Sequence, residues 1–244
     1  MKRPAAPSTH GAIHVVGLAA AGLLLSACGS SLGIHPGSAV VVGDESVSMG
    51  KIDSTTTAFC RVYVAQAAQQ SSQQQSGPVP MGLFRAYAAS SLAKRALGKQ
   101  LADAYDVQPA AGYQQQVAQY QTALASSPAD DRDAAIEVAA ADAYLQNVQV
   151  AVGQKLTHST GSTNEELKAD LQRGQVATTD WLADHDAFID PVFGVAVDDG
   201  KFSQTDDQTS VAVSALARGG TQLASQQGPP TSYTGQLPAA QVCS

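Results

Sequence analysis

Aromatic residues are scarce in this chain of 244 residues: tryptophan, tyrosine and phenylalanine together make up 5% of it. Large rings and β-branched side chains suit the interior of a β-sandwich, whereas alanine and glutamine, which are frequent here, favour helices. The composition therefore argues against a β-sandwich and predicts a mainly α-helical fold whose interior consists of small side chains.

Basic residues are also few. The chain has 14 Lys and Arg against 21 Asp and Glu, which gives a formal net charge of −7. A negatively charged protein is repelled by phosphate backbones and by anionic lipid surfaces. The charge balance argues against a nucleic-acid partner and against adsorption to a membrane by charge alone.

Sequence motifs for the common cofactors and reactions are missing as well. The chain contains no G-x-G-x-x-G, G-x-x-x-x-G-K-[ST], H-E-x-x-H, C-x-x-C or G-x-S-x-G pattern. We therefore expect no cofactor, no metal site and no catalytic residue, so that the chain is predicted not to be an enzyme.

Two groups of acidic residues superficially suggest metal binding. In Asp184-His185-Asp186 the residues are adjacent, and adjacent residues on a helix point apart, so a solvated helix end is the better interpretation. The acids around 198–207 lack the spaced ligands of an EF-hand loop. Trp181, near Phe188 and Phe193, is predicted to belong to the core, with a stacking platform for a substrate as the alternative.

No apolar run is long enough to span a membrane comfortably. The candidate run at residues 11–25 follows Lys2 and Arg3, and small residues come after it. A basic start, a short apolar middle and small residues at a cleavage site are typical of a secretory signal. Removal of that signal would take two positive charges with it and make the exported chain still more acidic.

The signal ends at Leu25-Ser26-Ala27-Cys28, which resembles the bacterial lipobox. The resemblance implies that residues 1–27 are a lipoprotein signal peptide and that Cys28 is acylated and becomes the new N-terminus. We therefore expect a lipid-anchored protein on the extracytoplasmic side of the cell membrane, held to the bilayer by acyl chains on Cys28. An ordinary signal peptide followed by an incidental cysteine is the alternative.

The two remaining cysteines, Cys60 and Cys243, can pair with each other in an oxidising compartment. A disulfide at Cys243 would attach a tail that little else holds in place. Two unrelated free thiols are the alternative.

Composition divides the exported part into three regions: a flexible tether at 28–38, a helical domain at 39–198 and a mostly irregular tail at 199–244. The valine run at 39–42 predicts a strand, Gly43-Asp44 a tight turn, and Ser48 the cap of the first helix. About five helices follow, starting near residues 49, 81, 109, 127 and 163. Either Ser162 with Glu165 or Thr163 with Glu166 is predicted to cap the last one.

Two helix faces have a distinctive pattern of residues, one on the third predicted helix and one on the second. Tyr113, Val117 and Tyr120 recur with helical spacing and are weak candidates for a polypeptide-binding groove, although the same pattern describes a plain core. The basic residues of the second helix, which include Arg85 and Lys99, are predicted to form a solvated outer face.

The order of these features resembles the N-terminal domain of SurA/PrsA-type extracytoplasmic chaperones. The resemblance rests on the hairpin-like segment 40–48, on the segment 101–108 between helices, and on Phe188-Ile189-Asp190-Pro191-Val192-Phe193-Gly194. Val192 stands where that family often has Arg. The region between Tyr105 and Phe188 reads as helices, so that no parvulin domain, and hence no isomerase activity, is expected.

The resemblance implies a small sheet that pairs the N-terminal strand or hairpin with a strand near 188–197, for which the valine runs 40–42 and 195–197 are the candidates. It also implies a helical cradle for unfolded or exported polypeptides. The expected function is therefore a chaperone-like binder. A structural lipoprotein that docks one specific envelope protein is the alternative.

Overall fold

The computed structural model describes residues 35–70, 78–198, 200–205, 214–221 and 231–244, and six helices account for most of these residues. The chain divides into two units, Met1–Pro36 and Gly37–Ser244. The predicted signal peptide, Cys28 and residues 28–34 of the predicted tether lie outside the described residues. The helices are α1 (Met49–Gln70), α2 (Met81–Ala104), α3 (Ala111–Ala123), α4 (Ala129–Ala139), α5 (Ala141–Thr157) and α6 (Asn164–Asp184).

The principal sheet joins the two ends of the helical domain, as expected for a mainly α fold with a small sheet. Strands β1 (Ser38–Val42) and β2 (Glu45–Ser48) form a hairpin, and β1 also pairs antiparallel with β4 (Ala187–Ile189), so that the strand order is β2-β1-β4. Val40 and Val42 are fully buried in the core. Gly43 turns the hairpin with φ of +55°, a conformation that favours glycine.

The strand that pairs with β1 is not the second valine run. Val40 lies opposite Ile189, whereas β5 (Val195–Asp198) pairs with β6 (Lys201–Gln204) in a separate sheet. Between β4 and β5, Pro191–Phe193 form a 3-10 turn in which the Asp190 carboxylate accepts a hydrogen bond from the Val192 amide at 2.9 Å. This turn and Gly194, at φ +61°, separate β4 from the valine run at 195–197.

Helix α2 lies at the centre of the domain. Eleven of its residues are buried, and Leu97 and Leu101 are fully buried in the main core with Val40, Val42 and Ile52. Burial of a leucine side chain contributes about 2 kcal/mol to folding. Many of the other buried positions on α2 are alanine or glycine, which lets neighbouring helices approach closely.

The basic residues of α2 are exposed to solvent to different degrees, and three of them also form an ion pair with another element. Arg85 pairs with Asp53 at 2.8 Å, Lys94 with Asp142 at 2.6 Å, and Lys99 with Glu45 at 2.7 Å. A helix in the middle of a domain has neighbours on most sides. Its cations therefore reach carboxylates on α1, α5 and β2.

The fourth predicted helix is two helices, α4 and α5, which meet at Ala140. The next connection follows the prediction: Thr163 caps α6, accepting a hydrogen bond from the Glu166 amide, while the Glu166 carboxylate accepts one from the Thr163 amide. The predicted cap of α1 is also present, because the Ser48 hydroxyl accepts from the Lys51 amide at 3.1 Å.

Helices α5 and α6 form a tight antiparallel pair with a polar centre. The carboxylate of Asp170, which is buried, accepts hydrogen bonds from the hydroxyls of Thr157 at 3.0 Å and Ser159 at 2.8 Å. The amide of Gln149 donates to the hydroxyl of Thr178 at 3.1 Å. These contacts satisfy buried polar groups that would otherwise destabilise the pair.

The tail contains short elements that the sequence does not signal. Besides β6, they are α7 (Ala215–Thr221), α8 (Thr231–Thr234), a 3-10 turn (Ala239–Gln241) and β7 (Val242–Cys243). Strand β7 pairs antiparallel with β3 (Val79–Pro80), which precedes α2, and Val79 lies opposite Cys243. The end of the tail is therefore attached to the helical domain.

Within the described part of the chain, no helix combines the length and the apolar character that crossing a bilayer requires.

Candidate functional site

An open cavity of about 440 Å³ lies beside strand β2, and we call it the β2 groove. All four residues of β2 line it, together with residues of helices α1, α2, α4 and α5. The lining side chains that matter for recognition are Lys51, Leu92, Arg95, Lys99, Glu137 and Tyr144.

Strand β2 is an edge of the principal sheet, because only β1 pairs with it among the described strands. In a hairpin with a two-residue loop, the residues that flank the loop, here Val42 and Glu45, form a hydrogen-bonded pair. Hydrogen-bonded and non-hydrogen-bonded pairs then alternate along the two strands. Ser46, opposite Val41, therefore directs its amide and carbonyl away from β1. The outer edge of β2 can accept a further extended strand.

Four charged side chains of the β2 groove neutralise one another in pairs. Lys51 contacts Glu137 at 2.6 Å, and Lys99 contacts Glu45 at 2.7 Å. The hydrogen bond from Lys99 to the Glu45 carboxylate raises the pKa of the lysine above its usual value. Lys99 is therefore charged throughout the physiological pH range.

Arg95 is the cation of the β2 groove that has no carboxylate partner among the described residues. Its Nη1 donates a hydrogen bond to the hydroxyl of Tyr113 at 3.1 Å, and its guanidinium carbon lies 4.7 Å from the centre of the Tyr144 ring. The Tyr113 and Tyr144 rings meet edge to face, with centroids 5.1 Å apart. Two aromatic rings thus hold the guanidinium in place, which is a common use of arginine.

Burial raises the pKa of the Tyr144 phenol above its ordinary value, although the neighbouring Arg95 lowers it in part. The phenol is therefore neutral at physiological pH. The β2 groove offers one unneutralised guanidinium, a neutral phenol and a free strand edge, which together are suited to bind an extended polypeptide through its backbone and an acidic group.

The three residues predicted as a polypeptide-binding groove lie on one face of α3, against a second, smaller core. Tyr113, Val117 and Tyr120 are half-buried on α3, where they pack on a cluster formed by Val62, Leu124, Ala135, Ile136 and Ala140. The structure therefore favours the plain-core interpretation of their spacing. Tyr113 alone also contributes to the β2 groove, because it orients Arg95.

Of the three cysteines, two are joined in the structure. Cys60 on α1 and Cys243 on β7 form a disulfide with a Cα–Cα distance of 5.8 Å. The bond links residues that are 183 positions apart, and Cys243 is buried. Cys28 lies outside the described residues.

Trp181 is buried in the main core together with Phe193, in agreement with the prediction of a core position. Its ring stacks on the imidazole of His185, with centroids 3.9 Å apart, and His185 Nδ1 lies 2.8 Å from the Trp181 carbonyl oxygen. Among the described residues, no group of three His, Cys, Asp or Glu side chains is arranged to hold a metal ion.

Sequence reasoning did not find the β2 groove. Arg95 is one of several cations on a helix whose charged side chains looked solvated, and only the three-dimensional pairing shows which of them is left without a carboxylate. The sequence predicts a hairpin-like segment at 40–48, but whether its second strand is a sheet edge depends on where β4 docks.

Compared with known proteins, the chain matches no family model, and no curated protein or solved structure matches it.

Proposed function

We propose that this chain is a lipid-anchored extracytoplasmic protein that binds unfolded exported polypeptides without isomerase activity. The observation that carries this proposal is the open β2 groove beside a free strand edge, because such an edge recognises backbone groups that every unfolded chain exposes. The proposed anchor is Cys28 in its lipobox sequence.

The disulfide supports the proposed location. Disulfides persist in oxidising compartments and are rare in the cytoplasm of most organisms. The bond between Cys60 and Cys243 is therefore consistent with a protein that folds after export.

The proposed mechanism is passive. An extended segment lies in the β2 groove, is shielded from other unfolded chains and leaves by dissociation, with neither a nucleotide nor a covalent step. Short extended segments of unrelated sequence share the same backbone pattern, so one groove can serve many clients.

The test is suppression of aggregation. The full chain, purified in mild detergent, is added to a chemically denatured client protein that is then diluted into the same detergent, and light scattering is followed. We expect scattering to fall as the chain approaches equimolar amounts. Unchanged scattering at several-fold molar excess, equal to that with an unrelated acidic helical protein, would overturn the proposal.

A second candidate is a lipoprotein that docks one specific envelope protein. The observation that favours it is an exposed apolar patch on α5 and α6, where Leu156 is 46% and Val176 is 55% exposed beside Tyr105. Patches of this kind often mark protein interfaces. Crosslinking in cells distinguishes the candidates: many unrelated clients support the chaperone-like binder, and one stoichiometric partner supports the docking lipoprotein.

A further inference from the structure

We propose that the β2 groove selects extended segments that carry an Asp or Glu side chain, which forms an ion pair with Arg95 while the segment backbone pairs with Ser46. This inference rests on the proposed function, and it adds the binding site and the chemical class of the segment.

The strand edge supplies the first part of the argument. Strand β2 has four residues, begins directly after the hairpin turn and runs into α1 at Met49. Its outer edge offers the amide and carbonyl of Ser46 and little further backbone. Since backbone hydrogen bonds to a partner replace hydrogen bonds to water, a single pair contributes little net free energy, and backbone pairing alone would hold a segment weakly. The side chains that line the groove must provide the rest of the affinity and any selectivity.

The charges of the groove supply the second part. Glu137 neutralises Lys51 and Glu45 neutralises Lys99, which leaves Arg95 as the excess charge. The positive groove lies in a chain whose net charge is −7, so its sign is a local property and not a reflection of the whole surface. Charge complementarity therefore points to an acidic group in the occupant.

The orientation of Arg95 supplies the third part. The Tyr113 hydroxyl takes a hydrogen bond from Nη1, and the Tyr144 ring lies against the guanidinium, which leaves Nε and Nη2 without a hydrogen-bond acceptor among the described residues. A carboxylate can accept two parallel hydrogen bonds from a guanidinium. An arginine that is already held in one orientation loses little entropy when it binds such a group.

The experiment uses the full chain in mild detergent and three fluorescent nine-residue peptides of alternating threonine and valine. One has a central glutamate, the second has glutamine in its place, and the third keeps the glutamate but carries an N-methyl group on every backbone amide. We expect the glutamate peptide to bind about tenfold more tightly than the glutamine peptide, which corresponds to about 1.4 kcal/mol. The N-methylated peptide should bind more weakly than its parent, because it cannot pair with a strand edge.

The variants Arg95→Gln and Arg173→Gln assign the preference to the groove. Arg173 is an exposed arginine on α6, so its replacement changes the net charge equally. We expect Arg95→Gln to remove the preference for glutamate and Arg173→Gln to keep it, with both circular-dichroism spectra unchanged. Equal binding of the glutamate and glutamine peptides by the unaltered chain, or a preference that survives Arg95→Gln, would overturn the inference.

The outcomes separate this inference from the proposed function. If the chain suppresses aggregation but binds the glutamate and glutamine peptides equally, the acidic preference is wrong and the chaperone-like function stands. If it discriminates the peptides but does not suppress aggregation, the groove is confirmed and the docking lipoprotein replaces the chaperone. A dimer that Ser46→Pro dissociates would show that a second copy occupies the β2 edge, and this would overturn the inference.

Discussion

Gly153 on α5 lies directly against the backbone of Asp170 on α6, and a side chain at this glycine would overlap the Asp170 carbonyl group. The arrangement is reciprocal, since Gly174 on α6 lies in the same way against the backbone of Gln149 on α5. Two glycines thus set the distance between the helices. The buried hydrogen bonds of Asp170 and Gln149 form at that distance.

We expect Gly153→Ala and Gly174→Ala each to lower the free energy of unfolding by about 3 kcal/mol, because the added methyl group forces two helix backbones apart. Gly82→Ala is the matched control: it is also helical, no atom would lie within 4 Å of the added group, and alanine favours helix there. Urea denaturation followed by circular dichroism measures the three values. A loss at Gly153 no larger than at Gly82 would contradict the prediction.

The contact between Arg61 and Asp131 predicts a loss of stability in acid. Arg61 Nε donates to the Asp131 carboxylate at 2.8 Å, and this hydrogen bond lowers the pKa of Asp131 below its ordinary value. Because the folded pKa is lower than the unfolded value of about 3.9, the stabilisation is present above pH 4 and disappears as the pH falls through the folded pKa.

The corresponding variant is Asp131→Asn. Arg61 is 57% exposed, so solvent screens the pair, and we expect a loss of at most about 1 kcal/mol at pH 7 that becomes smaller as the pH falls below 4. Asp133→Asn is the control. Asp133 is exposed, and its contact with the neighbouring Arg132 is long, at 3.9 Å. Urea denaturation at several pH values measures the free energy of unfolding. A loss for Asp131→Asn that does not depend on pH would contradict the ion pair with Arg61 as its cause.

Two threonine hydroxyls on α1, those of Thr55 and Thr56, are buried and have no hydrogen-bond partner among the described residues. Valine has nearly the same shape without the hydroxyl, so Thr55→Val and Thr56→Val should each raise the free energy of unfolding by about 1 kcal/mol. Thr57→Val serves as the control, since Thr57 is exposed and donates to the Asp53 carbonyl. A loss of stability at both buried positions would show that these hydroxyls are solvated internally.

The disulfide predicts that replacing either cysteine destabilises the protein as much as replacing both. Cys60→Ala, Cys243→Ala and the double variant should lose a similar free energy, about 2–5 kcal/mol, because each of them opens the same long loop. Thermal denaturation with and without reductant measures the loss, and peptide mapping under non-reducing conditions identifies the link. Two free thiols in protein purified from an oxidising compartment would contradict the assigned disulfide.

The lipobox predicts a chemical modification. Metabolic labelling with an alkyne fatty acid should label the chain, and Cys28→Ser should abolish the label and leave an uncleaved precursor. Cleavage that persists in Cys28→Ser would show an ordinary signal peptide. The variant Cys60→Ala should be labelled like the unaltered chain, which controls for acylation of another cysteine.

Local sequence signals were sufficient for much of the helical domain. Ser48 and Thr163 mark helix starts because their side chains satisfy the first free amides, and both caps are present. In contrast, the break at Ala140 has no glycine or proline, so it depends on how α4 and α5 pack and not on local preference.

The pairing partner of β1 and the β2 groove depended on contacts that a sequence pattern does not contain. Both 187–189 and 195–197 have strand composition, and Ile189 and Val195 both lie in the main core, so the sequence does not distinguish the two segments as partners of β1. Arg95 likewise lies among other cations on α2, and only the folded structure shows that it has no carboxylate partner among the described residues.

Pairing of β1 with β4 also affects the order of folding. Synthesis proceeds from the N-terminus, so β1 is available early, whereas Ala187–Ile189 follow only after all six long helices. Contacts between distant parts of a sequence form slowly, because a long loop must first be ordered. Until Ala187–Ile189 have been synthesised, the growing chain therefore leaves one edge of a valine-rich strand unpaired, and the principal sheet can close only after the helical segments are complete.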